Sequence, residues 1–328
     1  MKSGLYITAT FLFLFFSCKN QHEKDTNLAH IILLSDKINS ELQQVSEETA
    51  ALSSQIQHNI NFLADVKWEN NPRYVFHKNE ILYTLFSENS SAVFLPSVRR
   101  LSSGQKKIIV NSEKMDSLFI TLYNRNSIVS QVYFLDSNSF LRIYPYVDFT
   151  KQFAPSINLT GFTAFQSVKN KPFFDTKSYW IKKPYADPAG RGWIISAVSP
   201  VSFRDHFVGI VSSDIMLKTI QEKYFSSNSE MLLLVNPNGE IICSTRKASC
   251  IVCIPGHKEK NYYKPVINDE FLPAGPSLLN HKEKDIRKAV NLLLNGKNKT
   301  YFYQNTHKFV IYSSKLKETG WYLLKIIN

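Results

Sequence analysis

The residues that could do chemistry cluster between Lys171 and Asp214. Tyr185, Asp187 and Asp214 stand at the ends of apolar runs, with Lys171, Phe173, Phe174, Tyr179, Trp180, Trp193 and Ser196 around them. Aromatic walls with a few inward polar groups are what a small-molecule pocket requires. The chemistry this set supports is binding. G-x-S-x-G, H-E-x-x-H, a P-loop and G-x-G-x-x-G are all missing from the sequence, and the 8 His are scattered, so catalysis and a resident cofactor have no support. Simpler roles compete at several positions. Asp187 can cap its own backbone in the Asp187-Pro188-Ala189-Gly190 turn. Trp193 fits core packing, and Lys171 fits a solvated surface.

Three strands position these residues. The first ends at Pro184-Tyr185. The second, Trp193 to Val201, is rich in β-branched and aromatic residues. Arg204-Asp205-His206 forms the next turn, and Phe207 to Ile215 is the third strand. A loose internal echo frames them. Ser130–Pro145 and Glu230–Thr245 each read as strand, polar turn, strand. After each comes a helix-bearing stretch and three more strands, in the second copy Thr300–Gln304, Lys308–Ser314 and Trp321–Ile327. A helix at Lys282–Leu294 precedes these, with Gly296 as its stop. The pattern predicts an α+β chain of two consecutive units, each an antiparallel sheet flanked by helix. Residues between Asn71 and Leu118 are less legible, and Arg99-Arg100 reads as a surface loop.

Ahead of both units, neither Pro nor Gly occurs between Leu5 and Asn71. Ile31, Leu34, Ile38, Leu42, Val45, Thr49, Leu52, Ile56, Asn59 or Ile60, and Leu63 recur at helical spacing. A helix over Asn27–Leu63 would be about 55 Å long. It can pair with its copy as a homodimer or serve as a spine for its own chain; Thr49 and Asn59 on the stripe weaken the coiled-coil reading.

The N-terminus reads as an address. Lys2 precedes an apolar run, Leu5–Phe16, which is short for a membrane span and leads into Phe16-Ser17-Cys18. The run resembles a bacterial lipoprotein signal, implying a leader at 1–17 and lipidation at Cys18. Lipidation would hold the chain outside the cytoplasm on a membrane. Phe15 and Phe16 depart from the commoner pattern, and an uncleaved signal anchor is the alternative. The chain carries a net charge of +12, but its Lys and Arg are dispersed, which argues against nucleic acid as a partner. At such a location Cys243, Cys250 and Cys253 favour a disulfide, Cys243 pairing with Cys250 or Cys253. A metal site would need a fourth ligand, for which His257 is the candidate; no metal is expected.

Trp180 followed by Pro184-Tyr185-Ala186-Asp187, a strand ending in Pro200-Val201, and then Val208-Gly209-Ile210-Val211 with Asp214-Ile215 resemble the distal lobe of the double Cache sensor domain. The resemblance extends over about residues 30–328. It implies a long helix followed by two PAS-like lobes: a linker and stalk helix at 18–63, a membrane-distal ligand-binding lobe at 64–222 and a membrane-proximal lobe at 223–328. In amino-acid-binding members an Arg-x-Trp-Tyr segment grips the ligand carboxylate, while Tyr-x-Asp and a later Asp hold the amine. By that resemblance Tyr185, Asp187 and Asp214 match the amine-holding elements. Lys171-Pro172-Phe173-Phe174 stands where Arg-Pro-Trp-Tyr would be, and Gln166 where a Tyr is expected. Lys lacks the bidentate fork of Arg, so the ligand expected is an amine, an amino acid or a carboxylate. No second apolar span or output domain is legible, so signalling is expected to pass to a membrane receptor or kinase in trans. The rival expectation is a structural surface lipoprotein with a decayed pocket.

Overall fold

The computed structural model describes residues 6–68, 72–77, 81–86, 90–169, 171, 177–253, 269–271, 273 and 277–328, with side chains from residue 26 onward. Helix α1, Tyr6–Asn59, is continuous. It starts earlier than the periodicity predicts and stops four residues sooner. Asn61 explains the stop: its Oδ1 accepts the N–H of Leu63, and the competing turn ends the helical ladder. Residues up to Ser40 belong to a smaller unit and those from Glu41 to a larger one. Most of the predicted stripe is buried by the chain itself: Ile31 and Ile38 in the first part, Leu42, Val45, Thr49, Leu52 and Ile56 in the second; Leu34 is half-buried, and Leu63, beyond the end of the helix, is exposed. Each part of the helix thus packs within its own unit. Among the described residues no helix is long and apolar enough to cross a membrane.

The larger unit continues with β1 (Tyr74–His77), β2 (Ile81–Thr84), β3 (Ala92–Leu95), α2 (Ser103–Asn111), α3 (Met115–Arg125), β4 (Gln131–Asp136), β5 (Leu141–Tyr144), α4 (Phe149–Gln152), α5 (Thr163–Val168), β6 (Tyr179–Ala186), β7 (Trp193–Phe203), β8 (His206–Met216) and α6 (Leu217–Tyr224). Eight strands form one antiparallel sheet in the order β1-β2-β3-β5-β4-β8-β7-β6. The stretch that was hard to read thus supplies three strands and a helix. The β7–β8 pair runs longer than predicted because Arg204 and Asp205 both take positive φ, 50° and 60°, a two-residue turn that lets pairing reach Phe203 and His206.

The two faces of this sheet have different jobs. On one, α1 lies across β7 and β8. Thr49 Oγ1 donates to Ser213 Oγ at 2.7 Å, and Ser53 Oγ to the carbonyl of Pro200 at 2.5 Å. The other face carries an apolar core that includes Phe94, Phe149, Phe153, Phe162, Phe165 and Tyr185. Arg142, fully buried on β5, ties the helices to the sheet: its guanidinium reaches Asp116, Ser112, Tyr74 and the carbonyl of Ile109 at 2.9–3.1 Å. A buried cation persists only when it is paired in this way.

The smaller unit comprises the first part of α1, β9 (Leu232–Val235), β10 (Ile241–Ser244), α7 (Arg246–Ile251), α8 (Lys284–Leu294), β11 (Lys299–Gln304), β12 (His307–Lys315) and β13 (Tyr322–Ile327). Its antiparallel sheet has the order β10-β9-β13-β12-β11. Helix α8 starts two residues later than predicted and buries Ile286, Ala289, Val290 and Leu293, the face read from the sequence. The fold class is α+β: a long helix and two antiparallel sheets with flanking helices.

Gly209 shows how tightly β8 approaches β4. A Cβ there would lie 2.3 Å from the carbonyl oxygen of Leu135 and 2.7 Å from Cα of Asp136, both backbone atoms that cannot step aside. Gly209→Ala is expected to destabilise the protein by about 1–3 kcal/mol, the usual size of an overpacking penalty. Urea unfolding checks this: the midpoint should fall with the slope unchanged.

Candidate functional site

Strand register builds the site. Gln131 on β4 lies opposite Asp214 on β8, which lies opposite Ser196 on β7. Cross-strand partners share a face, so these three side chains form one polar row on the core side of the sheet. One step along the same face, Tyr133 and Ser212 form the next row. The intervening residue, Ser213, points the other way, to Thr49 on α1.

Each side chain in the row hydrogen-bonds to another. Asp214 Oδ1 accepts from Ser196 Oγ at 2.6 Å and Ser212 Oγ at 2.9 Å; Oδ2 accepts from Gln131 Nε2 at 2.5 Å. Tyr185 OH lies 2.6 Å from Ser196 Oγ. Gln131 Nε2 also donates to Asp187 Oδ1 at 3.1 Å. Two carboxylates thus share one amide, which fixes the amide's orientation: nitrogen toward the acids, oxygen away. That oxygen, Oε1, is buried and has no hydrogen-bond partner. An unpaired buried acceptor costs about 1–3 kcal/mol.

Asp187 organises the loop after β6. Its Oδ1 accepts the N–H of Ala189 at 2.9 Å and its Oδ2 that of Arg191 at 3.2 Å. The loop needs this anchor, since Gly190 and Gly192 both have positive φ, 84° and 119°. Arg191 commits its guanidinium to main-chain carbonyls, Ser130 at 2.6 Å and Pro145 at 3.1 Å.

These residues line a cavity of about 430 Å³, its mouth included. Gln131, Tyr133, Tyr185, Asp187 and Asp214 form its polar side; Leu141, Phe153, Leu159 and Phe162 form its apolar side. Asp269 completes the lining. Among the described lining residues there is no Lys, Arg or His. The electrostatics follow. Burial, then the neighbouring Asp187 charge, pushes Asp214 up to about 7 against the pull of its three donors. Burial also raises Asp187, opposed by Arg191 and its hydrogen bonds. The Tyr133 and Tyr185 hydroxyls are raised well above the usual range, chiefly by burial and then by the Asp214 charge.

Of the residues expected from sequence, Tyr185, Asp187 and Asp214 meet at this cavity. Asp187 caps its own loop and lines the cavity at once. Asp214, ordinary as an exposed strand-end residue, is 1% exposed. Trp180 is half-buried on β6 and is not among the lining residues. Lys171 is exposed, its Nζ 5.1 Å from the ring centroid of Tyr179. Phe173 and Phe174 lie outside the described residues, as do His257 and the Cys18 side chain; the Cys18 backbone is part of α1. Gln131, Tyr133 and Asp269 were missed. A glutamine opening an otherwise apolar strand was the signal for Gln131; nothing local marks Asp269.

The cysteines lie in the smaller unit, and the expected disulfide is not formed. Cys243 is buried on β10, with its thiol raised well above the usual range by burial, whereas Cys250 and Cys253 are exposed near the end of α7. Among the described residues no cluster of His, Cys, Asp or Glu could hold a metal ion.

No family model and no curated protein matches this chain. Solved structures do. The ligand-binding domain of the Pseudomonas fluorescens chemoreceptor CtaA in complex with L-isoleucine is 13% identical, with 95% of this chain and 96% of that one covered at a TM-score of 0.52. The sensory domain of the Campylobacter jejuni chemoreceptor Tlp3 with isoleucine bound is 12% identical, covering 93% and 94% at 0.52. An extracellular domain assigned to a histidine kinase, soHK1S-Z6, is 13% identical, covering 95% and 96% at 0.53. The chain has the double Cache-type fold of these extracellular ligand-binding domains.

The buried acid predicts a pH signature. The folded state raises Asp214 from 3.8 to about 7, so the native protein holds a proton that the unfolded chain releases. Stability from this group is therefore greatest at acid pH and is lost as pH rises toward 7, by up to about 1.4 kcal/mol per pH unit. Asp214→Asn should flatten that slope. Urea unfolding at pH 5, 6 and 7 checks it; Asp136, raised to about 6, is common to both proteins and cancels in the difference.

Proposed function

We propose that this protein is an extracytoplasmic sensor whose larger unit binds a small molecule through a protonated amine. One observation carries the reading: Gln131, Asp187 and Asp214 form a buried cradle with an unsatisfied acceptor, set against an apolar wall. An ammonium donates hydrogen bonds and carries the charge this cradle lacks; a carboxylate would face two acids. The fold neighbours bind L-isoleucine, L-serine and L-norvaline, which supports a small molecule as ligand. The lining described here offers no cation for an α-carboxylate, which favours an amine over an amino acid. The walls suit an aliphatic or aromatic body.

Binding would reach the spine helix through β8. An ammonium at Asp214 pulls on one face of the strand, and Ser213 on the opposite face holds Thr49 of α1 at 2.7 Å. Ligand would thereby shift the population of two helix arrangements. The reading includes an anchor at Cys18, for which Phe16-Ser17-Cys18 is the support, and a membrane receptor or kinase as the recipient of the signal.

A thermal-shift screen against aliphatic and aromatic amines, α-amino acids and carboxylates tests the reading. Amines at about 100 times their dissociation constant should stabilise the protein by about 2.7 kcal/mol, and carboxylates should not. Asp187→Asn with Asp214→Asn should abolish the shift. Silence across the amines favours the structural-lipoprotein alternative. Butylamine affinity, measured by calorimetry, should rise about tenfold between pH 6 and pH 8 as Asp214 loses its proton.

A further inference from the structure

Part of the cavity wall arrives from far along the chain. Asp269, Glu270 and Phe271 follow α7 and precede α8 in sequence, yet they belong to the larger unit. The carbonyl of Glu270 accepts the N–H of Ala186 at 2.7 Å. Phe271 forms an antiparallel bridge with Tyr185 and sets its ring edge-on to the Tyr185 ring, 6.3 Å between centroids. Lys183 Nζ lies 5.0 Å from the Phe271 ring centroid. These contacts seat Asp269, half-buried, on the cavity that Asp187, Asp214 and Gln131 share.

Asp269 Oδ2 accepts the N–H of Thr163, the first residue of α5, at 2.7 Å. Phe162, at the cap position, has no side-chain hydrogen bond, so Asp269 does a capping residue's work from a distance. Capping accounts for a polar residue there. It does not account for a third carboxylate on a cavity whose described lining holds no cation and includes a buried Gln131 Oε1 that lacks a donor. Arg191, the nearby guanidinium, is turned to the carbonyls of Ser130 and Pro145. One ammonium in the cradle would leave the mouth still acidic, and charge away from water is costly unless it is paired.

Resting on the amine reading above, we propose that Asp269 binds a second cationic nitrogen, so that the site takes a compact organic dication. One nitrogen occupies the Gln131–Asp187–Asp214 cradle and the other pairs with Asp269. The Leu141, Phe153 and Phe162 wall covers the carbon chain between them.

Calorimetry on the full chain at pH 8, with butylamine and with α,ω-diaminoalkanes of three to six carbons, tests this. The best diamine should bind about tenfold tighter than butylamine, the size of one charge-assisted hydrogen bond and more than the twofold statistical advantage of two identical ends. Asp269→Asn keeps an acceptor for Thr163 while removing the charge. It should reduce the diamine advantage over butylamine, both measured on the same variant, to the twofold statistical factor; retained butylamine binding shows that the variant is folded. Equal binding of the two amine classes by the wild type, or a diamine advantage that survives Asp269→Asn, overturns the proposal and leaves Asp269 a helix cap. Failure of both amines to bind overturns the amine reading along with it.

Discussion

Two buried carboxylates held by one amide set the terms for the larger unit. Asp214 and Asp187 are each 1% exposed, and the Asp187 charge sits close enough to raise Asp214. A lone charge so placed would be ruinous. Here Asp214 has three side-chain donors, and Asp187 has two backbone N–H groups and Gln131. Much of the local architecture follows from supplying those donors. Ser196 and Ser212 both face Asp214 and donate to its Oδ1. The glycines after β6 allow the loop to fold back over Asp187. Folding alone does not require any of this, since an apolar row would pack the sheet more stably. Such a cluster is the support for the proposed site.

The same strand geometry links that site to the long helix. Side chains alternate across β8, so Asp214 and Ser213 address opposite faces with no intervening structure. Thr49 is fully buried on the helix stripe, where an apolar residue would serve packing better, and it hydrogen-bonds to Ser213. The threonine that weakens a coiled-coil reading of the stripe has its reason here: the helix is fastened to the strand that carries the acid. Population shift across this contact needs only that ligand bind one arrangement more tightly than the other.

Much of this was legible in the sequence because it is local. The helix stripe, the two strand–turn–strand units and the face of α8 all follow from periodicity and turn residues. So does the grouping of Tyr185 with Asp187, two residues apart on one strand end. Asp214 was legible only through the family pattern, since composition makes a strand-end Asp ordinary. What escaped depends on pairing between distant segments. Gln131 gains its meaning from lying opposite Asp214, a register no local signal encodes. Asp269 reaches the cavity because Glu270 and Phe271 pair with the end of β6. Lys171 was placed by analogy with an Arg-bearing segment, and the structure sets it in solvent above Tyr179. The disulfide was expected from the location alone, and the structure leaves Cys243 buried and Cys250 and Cys253 exposed with no bridge among them.

The most direct measurement is a crystal structure of the protein grown with an aliphatic amine. The account predicts the amine nitrogen within hydrogen-bond distance of Gln131 Oε1 and of Asp214, with its carbon chain against Phe153 and Phe162. An amine bound elsewhere with the cradle unchanged, or a ligand carboxylate seated beside Asp187 and Asp214, would contradict it.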